Sequence, residues 1–236
     1  MAWKVPKIWD GGDCWIIGGG PSMPHQFGVP DELIKKVQSG KLLPSTYSKY
    51  MEPIHDKHVI GINAAYLIGN WIDIVFFGDK RWFLENEYRL ASFPNLKVGC
   101  KSYFAKRDLK YLGVKYIPLN KKHSEGISNE KYTVSWNQNS GAAAISLAHH
   151  LGVKRIFLLG FDMKKVGENK HWHGLYTPVN GKPVVQTPFK RHLEGFPAIS
   201  TDAKYLGIDI YNVSPESAIN VLPKISLKAA FKIAGI

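Results

Sequence analysis

Asn139–Met163 reads NSGAAAISLAHHLGVKRIFLLGFDM, and the fold is decided here. Ser140 stands where a helix N-cap belongs, because its hydroxyl can accept an unpaired amide proton of the first turn. Gly141 permits close backbone approach, and Ala142, Ala143 and Ala144 are strong helix formers with little bulk. Ile145, Ala148 and Leu151 continue at helical spacing, and Gly152 supplies a left-handed C-cap. Arg155–Gly160 is then a short apolar run, the length of a strand buried on both faces as parallel strands are. A helix that opens with small residues exposes its amide protons and positive dipole end, which suits an anion. Asp162, just past the strand, falls where open α/β sheets place their ligands.

The same grammar of strand followed by polar turn recurs upstream. Asp13–Ile17 runs into Gly18-Gly19-Gly20-Pro21-Ser22, where backbone amides and the Ser22 hydroxyl can approach a phosphate. The turn lacks the spaced glycines of the dinucleotide fingerprint and the Gly-Lys-Ser/Thr of the P-loop, so a plain tight turn explains it equally well. His58–Ile62 leads to Asn63, which suits either a ligand contact or a helix cap. Asp73–Phe77 leads to Asp79, a site residue or the N-cap of a helix reaching about Ala91. Trp82 and Phe83 in that helix read as core. Leu96–Gly99 and Val114–Pro118 supply further strands, and Ile208–Val213 a last one, ending at Ser214 and Ser217. Pro30–Gln38, Thr201–Leu206 and Ser226–Ala234 read as helices.

Between these elements, residues 41–57 and 164–195 are excursions or lid loops, and 226–236 closes the chain with a basic amphipathic helix. Asn120–Thr133, with Lys121, Lys122, His123 and Lys131, reads as a solvated loop that an anionic ligand would order. The pattern predicts a single Rossmann-like α/β domain over residues 1–236, with a mostly parallel sheet and helices on both faces.

Lysine plus arginine number 31 against 19 acidic residues, a formal charge of +12, which favours an anionic partner such as a nucleotide, nucleic acid or acidic membrane surface. No apolar run approaches the ~20 residues of a membrane span, and the N-terminus lacks the apolar core of a signal peptide. Cys14 and Cys100 form no metal or redox motif and read as small buried hydrophobes. The expectation is a cytoplasmic protein. In the 164–195 excursion, His171-Trp172-His173-Gly174 can present both imidazoles on one side of an extended segment. With no third ligand fixed by spacing, a base or substrate-binding role is favoured over a metal site.

Taken in order, GGGPS, INAAY, FGDKRWF, NSGAAA, GFDM and NVSPES each follow or precede a predicted strand. This resembles bacterial sialyltransferases that use CMP-sialic acid and the related hydroxymethylpterin diphosphokinase-like family, most of all small members, many of phage origin. Where those sialyltransferases carry Gly-Asn-Gly-Pro-Ser, Gly19 replaces the Asn. Their strand-end Asn matches Asn63, their Ser-Gly beside the nucleotide matches Ser140 and Gly141, and their Gly-Ile-Asp-Phe matches Gly160–Met163. An Asn after the third strand is replaced by Gly78-Asp79, and the tyrosine that helps carry the leaving phosphate falls near Lys164. Their catalytic His falls in a region that here holds His171, His173 and His192.

The resemblance implies a glycosyltransferase that takes a nucleotide sugar as substrate, with no cofactor and no obligatory metal. His173 or His171 would be the base, and Lys164 with Lys165 and the Ser140 helix end would receive the departing phosphate. Gly18, Gly19, Gly20, Ser22, Asn63, Gly141 and Ser214 would hold the nucleotide. The basic charge permits an acidic acceptor such as modified nucleic acid. A second reading is a Mg²⁺-dependent diphosphokinase or nucleotidyl-type transferase, with Asp79 and Asp162 holding the metal. A third is a non-catalytic nucleic-acid-binding or virion-associated protein, although no helix-turn-helix, RRM or zinc signature is present.

Overall fold

The structure, a computed structural model, describes residues 2–106, 109–176 and 188–236. Its frame is one sheet of seven strands: β1 (Asp13–Ile17), β2 (Val59–Ile62), β3 (Ile74–Phe77), β4 (Leu96–Gly99), β5 (Val114–Tyr116), β6 (Arg155–Leu159) and β7 (Asp209–Asn212). The order is β5-β4-β3-β2-β1-β6-β7, and every neighbouring pair is parallel. The chain walks outward from β1 to β5, then returns to lay β6 on the other side of β1. Loops leaving β1 and β6 therefore diverge, and a crevice opens at the carboxyl ends of these two strands.

Side-chain alternation divides the strands between two cores. Cys14 and Ile16 of β1, Ile60 of β2 and Phe76 of β3 face one layer, whereas Trp15, Ile17, Val59 and Phe77 face the other. In chain order the helices are α1 (Met23–Gln26), α2 (Asp31–Gln38), α3 (Lys80–Ala91), α4 (Ser102–Lys106), α5 (Ser140–His150), α6 (Phe189–Leu193), α7 (Phe196–Leu206) and α8 (Leu227–Ala234). Residues of α5 and α7 fill the first core; α2, α3 and α8 contribute to the second. Every residue from Gly141 to Ala148 is buried, and α5 packs directly on β1, β2 and β3. Its run of alanines is what allows a helix to be enclosed so closely. At the other end of β1 and β6, Arg155 forks onto Asp13 at 2.6 and 2.8 Å and also donates to the Ile233 carbonyl at 2.7 Å. That clamp joins the two central strands to α8.

The expected strands all form, with ends moved by no more than two residues. The helix expected over Thr201–Leu206 begins earlier, at Phe196, because a proline in its first turn is already set at a helical angle. Residues 41–57 contain two 3₁₀ segments, Pro44–Tyr50 and Glu52–Ile54, and Tyr47, Ile54 and the intervening Met51 are buried in the second core. Among the described residues, none from this excursion lines the crevice. The 120–133 loop is tied down without any ligand: Asn120 accepts from the Lys122 and His123 amides and donates to Ser128. The Ser128 amide in turn donates to the Ser146 hydroxyl, giving a buried helix serine its partner. Part of the 164–195 excursion, residues 177–187, lies outside the described residues. Among those described, no helix is long and apolar enough to cross a membrane.

Candidate functional site

A cleft of about 520 Å³ lies over the crevice between β1 and β6. Gly18, Gly19, Gly20, Asn63, Asp79 and Ser140 line it, joined by Gly141, Lys164 and His171. Asn63 and Ser140, expected in one site from distant parts of the sequence, both line it.

Gly18 and Gly20 follow β1 because a second turn is packed against theirs, whereas Gly19 lies against the His171 ring. The Gly20 amide donates to the Gly160 carbonyl at 2.7 Å, and the Gly18 amide to the Leu159 carbonyl at 2.8 Å. A Cβ on Gly18 would stand 2.8 Å from the Gly160 oxygen, and one on Gly20 only 2.3 Å from Asp162 Oδ2. Beneath that contact the Ser22 amide donates to Asp162 Oδ2 at 2.9 Å, and the Ser22 and Ser214 hydroxyls meet at 3.2 Å. Asp162 and Ser214 are almost wholly buried, and with Ser22 they fall outside the cleft lining. These three expected site residues are therefore bracing for the turns. Asp162 accepts the Ser22 amide and stands outside the cleft lining, so among the described residues it does not face the cleft beside Asp79. Asp79 caps α3 by accepting from the Trp82 amide at 3.0 Å, while also facing the cleft.

The cap of α5 is Asn139 and not Ser140. Its Oδ1 accepts from the Gly141 amide at 2.8 Å and the Ala142 amide at 3.3 Å, so two of the donors expected for an anion are already engaged. Gly141 is small for a packing reason as well, since a Cβ there would lie 2.8 Å from the Phe161 ring.

The His171–His173 segment is anchored by the residue between them. Trp172 is fully buried, its amide donates to the Gly19 carbonyl at 3.1 Å, and its indole donates to the Gly18 carbonyl at 2.8 Å. Tyr47 donates to the Trp172 carbonyl and Gln38 to the His171 carbonyl. The two imidazoles do stand on one side, stacked at 5.5 Å and 10°. Of this pair His171 lines the cleft, as does His192; His173 is buried behind it, its Nδ1 accepting from the Leu175 amide at 3.2 Å. Burial pushes the His171 pKa down to about 4, partly opposed by the Gly19 backbone, and that of His173 down to about 3. Both rings are neutral near pH 7. Tyr176 lies against both histidines, and burial pushes its hydroxyl up to about 12, with the Asn63 side chain opposing the shift.

Asn63 departs from both simple readings of its sequence position. It opens a 3₁₀ segment, Asn63–Ile68, without a side-chain cap, and its φ is +50°. Among the described residues its Oδ1 is shielded from solvent without a hydrogen-bond partner. Gln138 and Met163, which also line the cleft, share left-handed backbone angles of 54° and 50°. Such angles cost energy in non-glycine residues and concentrate where side chains must be aimed.

Among the described residues, Lys101, Lys164, Lys170 and Arg191 line the cleft against the single carboxylate of Asp79. None of these four cations has an ion-pair partner among the described residues. Lys165 instead stands outside the lining and lies 3.9 Å from Glu168. Lys101, Trp136, Tyr176 and Arg191 were not legible as site residues, because they sit in segments without a motif and only the closing of the sheet gathers them; Asn139 sits in the NSGAAA motif, where Ser140 was expected as the cap in its place.

No protein-family model matches the chain, and no curated protein sequence does. Among solved structures, the chain is similar to the sialyltransferase CstII from Campylobacter jejuni, solved in complex with a substrate analogue and described with cytidine-5'-monophosphate. That likeness has a TM-score of 0.48 at 16% identity, and covers 90% of this chain and 84% of that one.

Proposed function

We propose that this protein transfers a glycosyl group from a nucleotide-sugar donor held in the cleft. The observation that carries the reading is the cleft itself: among the described residues, four cations, one carboxylate and the His171 and His192 imidazoles gather at the point where strand order reverses. Such a charge balance suits a ligand with a phosphate, and the unpartnered Asn63 Oδ1 suits a donor group on the same ligand. In the reaction the acceptor hydroxyl oxygen bonds to the anomeric carbon as the bond from that carbon to the phosphate oxygen breaks. The hydroxyl proton passes to His171, and the nucleotide leaves with the bonding electron pair, stabilised by Lys164 and its neighbouring cations. His173 supports the His171 ring from behind. The diphosphate-transfer reading loses its second carboxylate, because Asp162 braces the glycine turn.

The test is a panel of nucleotide sugars, followed for donor hydrolysis and transfer in wild type, His171→Ala and His173→Ala. His171→Ala should lower turnover on the order of a hundredfold while changing donor affinity little, because a general base acts mainly in the transition state. Turnover that stops on chelation, recovers with Mg²⁺ and vanishes in Asp79→Asn would overturn the proposal.

A further inference from the structure

We infer that Lys101 and Trp136 form a subsite that reads a nucleoside 5′-phosphate as one unit, Trp136 stacking on the base and Lys101 pairing with the phosphate. This rests on the donor being a nucleotide. The two residues come from different parts of the chain, Lys101 from the turn after β4 and Trp136 from the segment before α5, and both line the cleft. One edge of the indole is fixed: a Cβ on Gly78 would lie 2.4 Å from Trp136 Cζ3, so the ring is seated on the backbone after β3. Over its face stands the Lys101 ammonium, 4.1 Å from the ring centroid. Lys101 has no carboxylate partner among the described residues, so the aromatic face is what holds its charge.

A cation on an aromatic face is held less strongly than one in a charge-assisted hydrogen bond to phosphate. Phosphate entering the cleft therefore draws the ammonium off the indole and uncovers a flat surface, on which a base stacks whatever its identity. A ligand with only one of the two groups gains less. Inorganic phosphate leaves the indole bare, and an uncharged nucleoside must compete with the ammonium for the ring.

This competition gives the two variants opposite signs. The four ribonucleoside 5′-monophosphates, the matching nucleosides and inorganic phosphate are titrated by calorimetry into the full chain, Lys101→Met and Trp136→Leu. Lys101→Met should weaken nucleoside monophosphates about tenfold, as loss of a charge-assisted bond does, and should leave nucleosides bound as well or better. Trp136→Leu should weaken both nucleotides and nucleosides while sparing inorganic phosphate. Thermal melting of each variant guards against loss of folding, and Lys101→Met alters no buried ring. If wild type binds a monophosphate and Lys101→Met binds it equally well, the subsite is wrong and the donor reading stands. If wild type binds none of the four, both fall together.

Discussion

His171 and His173 are two residues apart and identical in chemistry, yet only one faces the cleft. Their spacing puts both rings on the same side, and the choice between them is made by Trp172, which docks under the Gly18–Gly19 carbonyls and sets the segment's depth. Because burial pulls the His171 pKa down to about 4, its base form persists well below neutral pH. The dependence of kcat/KM on pH, which reports the free enzyme, should therefore stay flat from pH 7 to about 5.5 and not fall near the ordinary histidine value of about 6.5. An acid limb centred near 6.5 in initial-rate measurements would contradict this placement of His171. Asp162 makes a different residue-scale prediction. Asp162→Ala strips the Ser22 amide of its acceptor and should cost about 1–3 kcal/mol in urea denaturation. Asp162→Asn keeps an acceptor oxygen and should cost less, with nucleotide affinity little changed in either variant that folds.

At the scale of elements, the amino end of α5 serves its own cap before it serves a ligand. Asn139→Ala should destabilise by about 1 kcal/mol, the usual cost of a lost cap, whereas Ser140→Ala should leave the melting temperature nearly unchanged. The same comparison reads ligand binding. Removing the Asn139 side chain releases the Gly141 and Ala142 amides, so a phosphate that reaches this helix end should bind Asn139→Ala no more weakly than wild type. Gly141→Val is a poor probe of the same idea, because its side chain would collide with Phe161 and unfold the local packing whatever the ligand does. Circular dichroism melts of Asn139→Ala, Ser140→Ala and Gly141→Val should separate cap, bystander and clash.

For the whole molecule, buried neutral imidazoles couple stability to pH. Burial lowers His149 to about 4, with help from His150, and lowers His150 and His192 as well as His171 and His173. In the unfolded chain each takes up a proton near pH 6.5. Between that value and the folded values the unfolded state binds more protons, so stability is full above about pH 6.5 and is lost as pH falls through the folded pKa range. The midpoint of urea unfolding should drop steadily from pH 6.5 to pH 4. His173→Phe, which keeps a flat buried ring without a titrating group, should flatten the slope. A midpoint indifferent to pH across that interval would exclude the coupling. The cleft's cations add a second global dependence: nucleotide affinity should fall as salt rises, since partly exposed charges are screened.

The sequence by itself determined the local elements and their order. Apolar runs of four or five residues bounded by glycine and polar turns specify buried strands, and SGAAAISLA specifies a helix slim enough to pack against three of them. Those are near-neighbour effects of propensity and periodicity, and they were readable without the fold. Gly18–Gly20, Asn63, Ser140 and Lys164 were likewise legible as a group, because ligands in such sheets gather at strand carboxyl ends. Only the tertiary structure decided which polar residues face a ligand and which face one another. Ser22, Asp162 and Ser214 carry the same chemistry as cleft residues but bond across 140 and 192 positions of chain to brace two turns. Lys101, Trp136, Tyr176 and Arg191 carry no motif, yet they line the cleft because β4, the segment before α5 and the 164–195 excursion converge on it. Spacing along the chain constrains what a residue can do, whereas partners set by sheet order decide what it does.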